Sequence, residues 1–155
     1  MNVIIKKYTI LKIILGKTMS ETKIQTAHER IGGDEGLQRL VTLFYDNMET
    51  LPEAKLIRGL HPKDMRSARE KLFMFLSGWM GGPDRYIAAF GHPRLRARHL
   101  PFPIGMEERD QWLMCMKKAL DEMEVDSLFK EQLMSSFTQT ANHMMNKEPN
   151  PALPQ

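Results

Sequence analysis

Beyond Met19 the apolar residues of this chain recur every three or four positions, in runs cut by glycine and proline. That is the spacing of one buried helix face. Residues 22–31 form a short helical segment stopped by Gly32-Gly33. Asp34 then offers an N-cap, and Leu37, Leu40, Val41, Phe44, Tyr45 and Met48 line one face of a second helix that must end before Pro52. Residues 56–62 have no clear period and read as a loop with room for one helical turn. From Asp64 to Met80, the residues Ala68, Leu72, Phe75, Leu76 and Trp79 share a face, and Gly81-Gly82-Pro83 stops the helix. Glycine there supplies a left-handed cap, and proline lacks the N–H to continue. Pro93, Pro101 and Pro103 make residues 84–105 irregular apart from a short helix near 95–100.

The last two helices, Glu107 to Met123 and Ser127 to Asn146, have the plainest pattern. Glu107, Glu108 and Asp110 open the first of them, and Lys117 and Lys118 lie nearer its end, as the helix dipole favours. No stretch alternates with a period of two. The expected fold class is therefore all-α, with one domain over residues 19–147. Residues 148–155, with three prolines, read as a loose tail. Residues 1–18 read as an extension ahead of a start at Met19, or as a disordered tail. Their apolar run is interrupted by Lys12 and is short of the ~20 residues that span a bilayer. A helix lying on a membrane surface is the alternative for them.

Composition sharpens this picture. Of 155 residues, 42% are hydrophobic and 26% charged, which excludes disorder as a description of the whole. The net charge of +3 suggests a polyanionic partner. Four of the 22 basic residues, however, lie in residues 1–18, which contain no acid. The remainder carries 18 bases against 19 acids, so the body is not basic and nucleic acid is not an expected partner. Cys115 stands alone, which rules out an intrachain disulfide or a thiolate zinc site. It reads as an apolar filler on a helix, in a protein of the reducing cytoplasm.

The chemistry-bearing residues exclude several classes. None of the five histidines pairs with another at zinc-site spacing, and neither HExxH nor GxSxG occurs. A hydrolase of familiar type is unsupported. Thirteen methionines and the aromatics Phe44, Tyr45, Phe73, Phe75, Trp79, Phe102 and Trp112 are compatible with plain core or with a plastic apolar pocket.

One stretch is far more specific. Gly91-His92-Pro93-Arg94-Leu95-Arg96-Ala97-Arg98-His99-Leu100-Pro101-Phe102, followed by Arg109-Asp110-Gln111-Trp112-Leu113-Met114-Cys115-Met116, closely resembles the group II truncated haemoglobins. The two glycine breaks and the Phe44-Tyr45 pair share the resemblance, which covers about residues 24–146. It implies a globin-like fold shortened to a two-over-two helical sandwich around haem b.

In that resemblance His99 is the proximal iron ligand, its second ring nitrogen held by a backbone carbonyl. Outside the motif the same residue would read as a loop histidine without a partner. The distal side falls to Tyr45, His61, Ala68, Leu72 and Trp112, where the Tyr O–H and Trp N–H would stabilise charge on a bound ligand. His61 departs from the family, which usually has an aromatic such as Tyr or Phe there. A donor to the ligand, a sixth iron ligand and a solvated loop histidine all remain open for it. Arg98 and Lys71 match partners of the haem propionates, with Tyr86 a weaker match. Leu72 and Phe102 would pack against the cofactor. His92 and His143 receive no role.

The implied function is binding of dioxygen and related ligands (NO, CO or peroxide) at ferrous iron. Oxygen transport, nitric oxide oxidation and peroxidase-like chemistry are compatible with it, and turnover would need an electron-donating reductase. A haem-based sensor switched through His61 and a cofactor-free helical interaction module are the alternatives.

Overall fold

The computed structural model describes residues 23–147, so the extension at 1–18 and the tail at 148–155 lie outside the described residues. A reciprocal cap opens the first helix. Thr26 Oγ1 accepts the Glu29 N–H at 3.1 Å, and the Glu29 carboxylate accepts the Thr26 N–H at 3.0 Å. Helix α1 is accordingly only Ala27–Arg30, shorter than the expected segment. The Thr26→Ala protein is expected to lose about 1 kcal/mol, read as a lower urea midpoint at unchanged slope.

Helix α2 spans Gly33–Thr50. Its N-cap is Gly32 in a left-handed conformation (φ 105°), and this corrects the assignment of that cap to Asp34. The Asp34 carboxylate faces elsewhere, accepting from His28 Nε2 at 2.9 Å and from both Arg85 nitrogens at 2.7 and 2.9 Å. Gly36 is required for space, because a Cβ there would run into the Ile31 carbonyl.

A 3-10 turn at Pro52–Ala54 leads into α3, Lys55–Gly59, so the expected loop is helical over its first half. Helix α4 is Arg66–Trp79, two residues later than expected, with the Asp64 carboxylate accepting the Arg66 N–H at 3.0 Å. Residues 84–105 hold two helices rather than one. Arg85–Phe90 forms α5 and Leu95–His99 forms α6. Prolines first appear in that stretch at Pro93, and Tyr86 is buried with its ring edge-on to Phe75. Helices α7, Met106–Asp121, and α8, Ser127–Met144, lie within two residues of expectation.

The four long helices pair as α2 with α4 and α7 with α8, and α2 joins the pairs by packing on α7. No strand occurs among the described residues. Leu37, Leu40, Val41 and Phe44 of α2 are fully buried with Cys115, Met116, Ala119 and Leu120 of α7. Cys115 is thus the expected filler, and burial pushes its thiol up to about 11. Against this rigid block lean the short elements, α3 on α7 and α6 on α8. Among the described residues no helix is long and apolar enough to cross a membrane.

Candidate functional site

Two half-buried histidines have matching local geometry. His99, at the end of α6, donates its Nδ1–H to the Leu95 carbonyl at 2.6 Å. His61, just beyond α3, donates its Nδ1–H to the Ile57 carbonyl at 2.8 Å. Each bond reaches back four residues, and a carbonyl can only accept. The ring proton is therefore on Nδ1, and a neutral ring keeps a free lone pair on Nε2. Burial holds His61 below the usual imidazole range, and Arg58 and His99 act in the same direction. His61 is therefore neutral at pH 7, and Nε2 is poised to accept or to ligate rather than to donate.

Both loops are pinned by residues that sequence reasoning missed. Gln111 Oε1 of α7 accepts the Leu56 and Ile57 N–H groups at 2.9 and 3.0 Å, fixing the start of α3. Asn146 Nδ2 donates to the Phe102 carbonyl at 2.8 Å and the His99 carbonyl at 3.2 Å, while its Oδ1 accepts the Ile104 N–H at 3.0 Å. The chain leaving His99 is thereby tied to the end of α8.

Tyr45 sits beside His61, ring centroids 6.0 Å apart. The residue is 5% exposed, and burial pushes the phenol up despite the Arg69 guanidinium 5.5 Å over the ring face. It is a permanent O–H donor, directed at the Ala68 carbonyl at 3.2 Å. Phe44 links the ring to Trp112, with centroids at 4.9 and 5.0 Å. Trp112 is partly buried and makes no hydrogen bond through its indole N–H among the described residues. Ala68 and Leu72 lie one turn apart on α4, partly buried against the core.

At the outer rim, Lys71, Phe90, Tyr86 and Arg98 form a chain. The Lys71 ammonium lies 5.6 Å over the Phe90 ring, Phe90 lies 5.0 Å from Tyr86, and the Arg98 guanidinium lies 5.5 Å over Tyr86. The structure thus brings the three expected rim residues together through Phe90, which sequence reasoning missed. The Tyr86–Phe90 spacing of four was its available signal. Neither Lys71 nor Arg98 forms an ion pair with a carboxylate among the described residues. Phe90, Leu100 and Phe102 remain 46%, 57% and 43% exposed, large apolar side chains left without cover.

An all-helical two-over-two body with a buried tyrosine and a tautomer-locked histidine is the arrangement that the resemblance to globins implies. A family model described as bacterial-like globin matches residues 26–146, and the chain belongs to that family as a group II truncated haemoglobin. It is 41% identical over 115 residues to the group 2 truncated hemoglobin YjbI of Bacillus subtilis, a match covering 74% of this chain and 85% of that protein. Among solved structures it is similar to the cold-adapted truncated hemoglobin of Pseudoalteromonas haloplanktis TAC125, with 44% identity and a TM-score of 0.78. That match covers 80% of this chain and 100% of the other. The group II 2-on-2 hemoglobin of Agrobacterium tumefaciens gives 40% identity and a TM-score of 0.79, covering 83% and 99% of the two chains.

Membership implies a haem cofactor, and the residues present fit a flat, apolar, dianionic group. A free imidazole nitrogen, uncovered aromatic and aliphatic surface, and two cations without carboxylate partners are the donor set it requires.

Proposed function

We propose that the chain holds one b-type haem, whose iron His99 Nε2 would ligate, and that it binds dioxygen and related diatomic ligands, with Tyr45 and Trp112 as the donors that would meet them. The observation that carries this reading is the 2.6 Å bond from His99 Nδ1–H to the Leu95 carbonyl. It fixes the tautomer and increases the basicity of Nε2. A non-covalent cofactor is favoured because Cys115, the only cysteine, is buried and cannot form thioether links. Lys71 and Arg98 neutralise the propionates, with Tyr86 and Phe90 shaping the rim and Leu72 and Phe102 giving apolar contact.

Bound there, haem supplies a ferrous iron that places partial negative charge on a diatomic ligand. Tyr45 turns its O–H from the Ala68 carbonyl towards that charge, and Trp112 adds its free indole N–H. Low dielectric strengthens both bonds, so the ligand leaves slowly. Slow release suits chemistry on the ligand, such as nitric oxide oxidation or peroxide reduction, better than bulk oxygen transport. Such turnover draws electrons from a separate donor protein in the cytoplasm. Ferrous protein exposed to dioxygen is expected to give an absorption spectrum that persists and reverts on deoxygenation. Immediate conversion to the ferric form would contradict the reading.

The free Nε2 of His61 favours a second reading, in which His61 itself ligates the iron when no external ligand is present and so reports ligand or redox state. Resonance Raman spectra of the ligand-free ferrous protein should then show a six-coordinate component that His61→Ala removes. A purely five-coordinate wild type contradicts this second reading and leaves the first intact.

A further inference from the structure

Arg69 of α4 has no role in the function proposed above, yet its placement is unusually determined. Its guanidinium crosses to α2 and donates to two carboxylates there, Asp46 at 2.8 Å and Glu49 at 2.6 Å, with a longer bond of 3.5 Å to the Thr42 carbonyl. Asp46 and Glu49 are three positions apart and so share one face of α2. Both carboxylates are more open to solvent than the guanidinium, and ion pairs of that kind contribute little to stability by themselves. What they do is fix where the cation sits. It lies over the Tyr45 ring, 5.5 Å from the centroid, within the range at which an aromatic face attracts a cation.

Tyr45 is thereby held on three sides. Phe44 and His61 meet it with steeply inclined rings at 4.9 and 6.0 Å, and Arg69 covers a face. Its O–H is directed at the carbonyl of Ala68, the residue next to Arg69 on α4. When the O–H leaves that carbonyl for another acceptor, rotation about the C–O bond moves only the hydrogen, and the ring stays where its neighbours hold it. The cation is permanent, because a guanidinium does not lose its proton at any working pH. It opposes the effect of burial on the phenol. A positive charge beside a phenol favours the electron-rich oxygen that forms as the proton is shared, so the O–H donates a stronger hydrogen bond.

We infer that Arg69 is a positioning residue for ligand binding, held by Asp46 and Glu49 over the Tyr45 face so that the phenol keeps its place and donates more strongly to the ligand's partial negative charge. This rests on the proposed role of Tyr45 as a donor to the ligand. Arg69 acts through Tyr45 and not on the ligand itself. A bridge that merely tied α2 to α4 would have the same effect with and without the Tyr45 hydroxyl.

The test combines Arg69→Gln and Arg69→Lys with Tyr45→Phe in the haem-loaded full chain. Two readouts are followed there, the dioxygen dissociation rate by stopped flow and the C–O stretching frequency of the ferrous carbon monoxide form, which rises as positive charge near the ligand is withdrawn. Arg69→Gln is expected to speed dissociation about two- to fivefold, the loss of one cation–ring interaction, and to raise the C–O frequency. Arg69→Lys keeps a cation and should recover part of both effects. Arg69→Met, which keeps the apolar stem without the charge, should match Arg69→Gln and replaces it if that variant does not fold. In the Tyr45→Phe background, loss of the Arg69 charge should change neither readout. A third readout needs no cofactor. In the full chain without haemin, labelled with 13C at tyrosine Cζ, the Tyr45 resonance is identified by its loss in Tyr45→Phe. It should move in Arg69→Gln and move less in Arg69→Lys.

Dissociation and C–O frequency unchanged by loss of the Arg69 charge, where Tyr45→Phe alters both, would overturn the inference. Effects of equal size in the Tyr45→Phe background would overturn it too, by reducing Arg69 to a tie between helices. Failure of the reading beneath it would look different. Tyr45→Phe alone would then leave both readouts as in the wild type, and the inference would fall with that reading.

Discussion

The His99→Ala protein is expected to fold and to lose its stable haem. His99 is a half-buried residue at the end of a five-residue helix, and the four long helices pack without it, so far-UV circular dichroism should change little. Removing merely a supporting partner of a ligand histidine costs about 10–100-fold in metal affinity. Removing the ligand itself is therefore expected to cost about 100-fold or more, seen as haem transfer to an acceptor protein and collapse of the Soret band. Added imidazole should restore part of the spectrum, because the cleft beside the Leu95 carbonyl then accepts a free ring. An unchanged Soret band in His99→Ala would move the iron ligand elsewhere, with His61 Nε2 the first alternative.

The second large effect concerns ligand escape. A hydrogen bond to a charged group contributes about 1.5–3 kcal/mol, so removing one donor should speed dioxygen dissociation by about 10–100-fold. Tyr45→Phe removes the O–H and leaves the ring, whose contacts with Phe44 and His61 persist. In the ligand-free protein that O–H is already satisfied at 3.2 Å by the Ala68 carbonyl. Turning towards a ligand costs that bond, and the net effect of Tyr45 should lie at the lower end of the range. The Trp112 indole N–H gives up no protein partner, so Trp112→Phe should have the larger effect. Stopped-flow dissociation rates unchanged in both variants would remove these residues from the ligand's surroundings.

What the sequence could reveal followed from the range of the interactions involved. The long helices were legible because α2, α4, α7 and α8 each carry a face-forming apolar repeat. Helix α5 was not, because six residues carry no period. It is held by Tyr86 packing on Phe75 and by Arg85 reaching Asp34, a partner 51 positions away. The same long-range pair overturned the Asp34 cap, since a carboxylate committed to Arg85 and His28 is not available to its own helix.

At the site, the motif around His99 pointed to an iron ligand, whereas spacing alone left it a loop histidine. The local geometry that supports ligation was foreseeable, because a bond to the carbonyl four residues earlier is a helix property. Gln111 and Asn146 were invisible for the opposite reason. Their partners lie 54 and 44 residues away, and a polar residue on a helix face or past a helix end carries no sign of such a distant bond. The cations at the rim, Lys71 and Arg98, lie over the aromatic faces of Phe90 and Tyr86, a pairing across separate helices that residue spacing does not reveal.

The central claim is that this chain binds one haem through its own residues, and titration of purified haem-free protein with haemin tests it most directly. A sharp one-to-one endpoint, a Soret band, and quenching of the Trp79 and Trp112 fluorescence at the same stoichiometry are expected. A chain that remains colourless, or whose absorbance rises without an endpoint as for haemin adhering to surface, would contradict it.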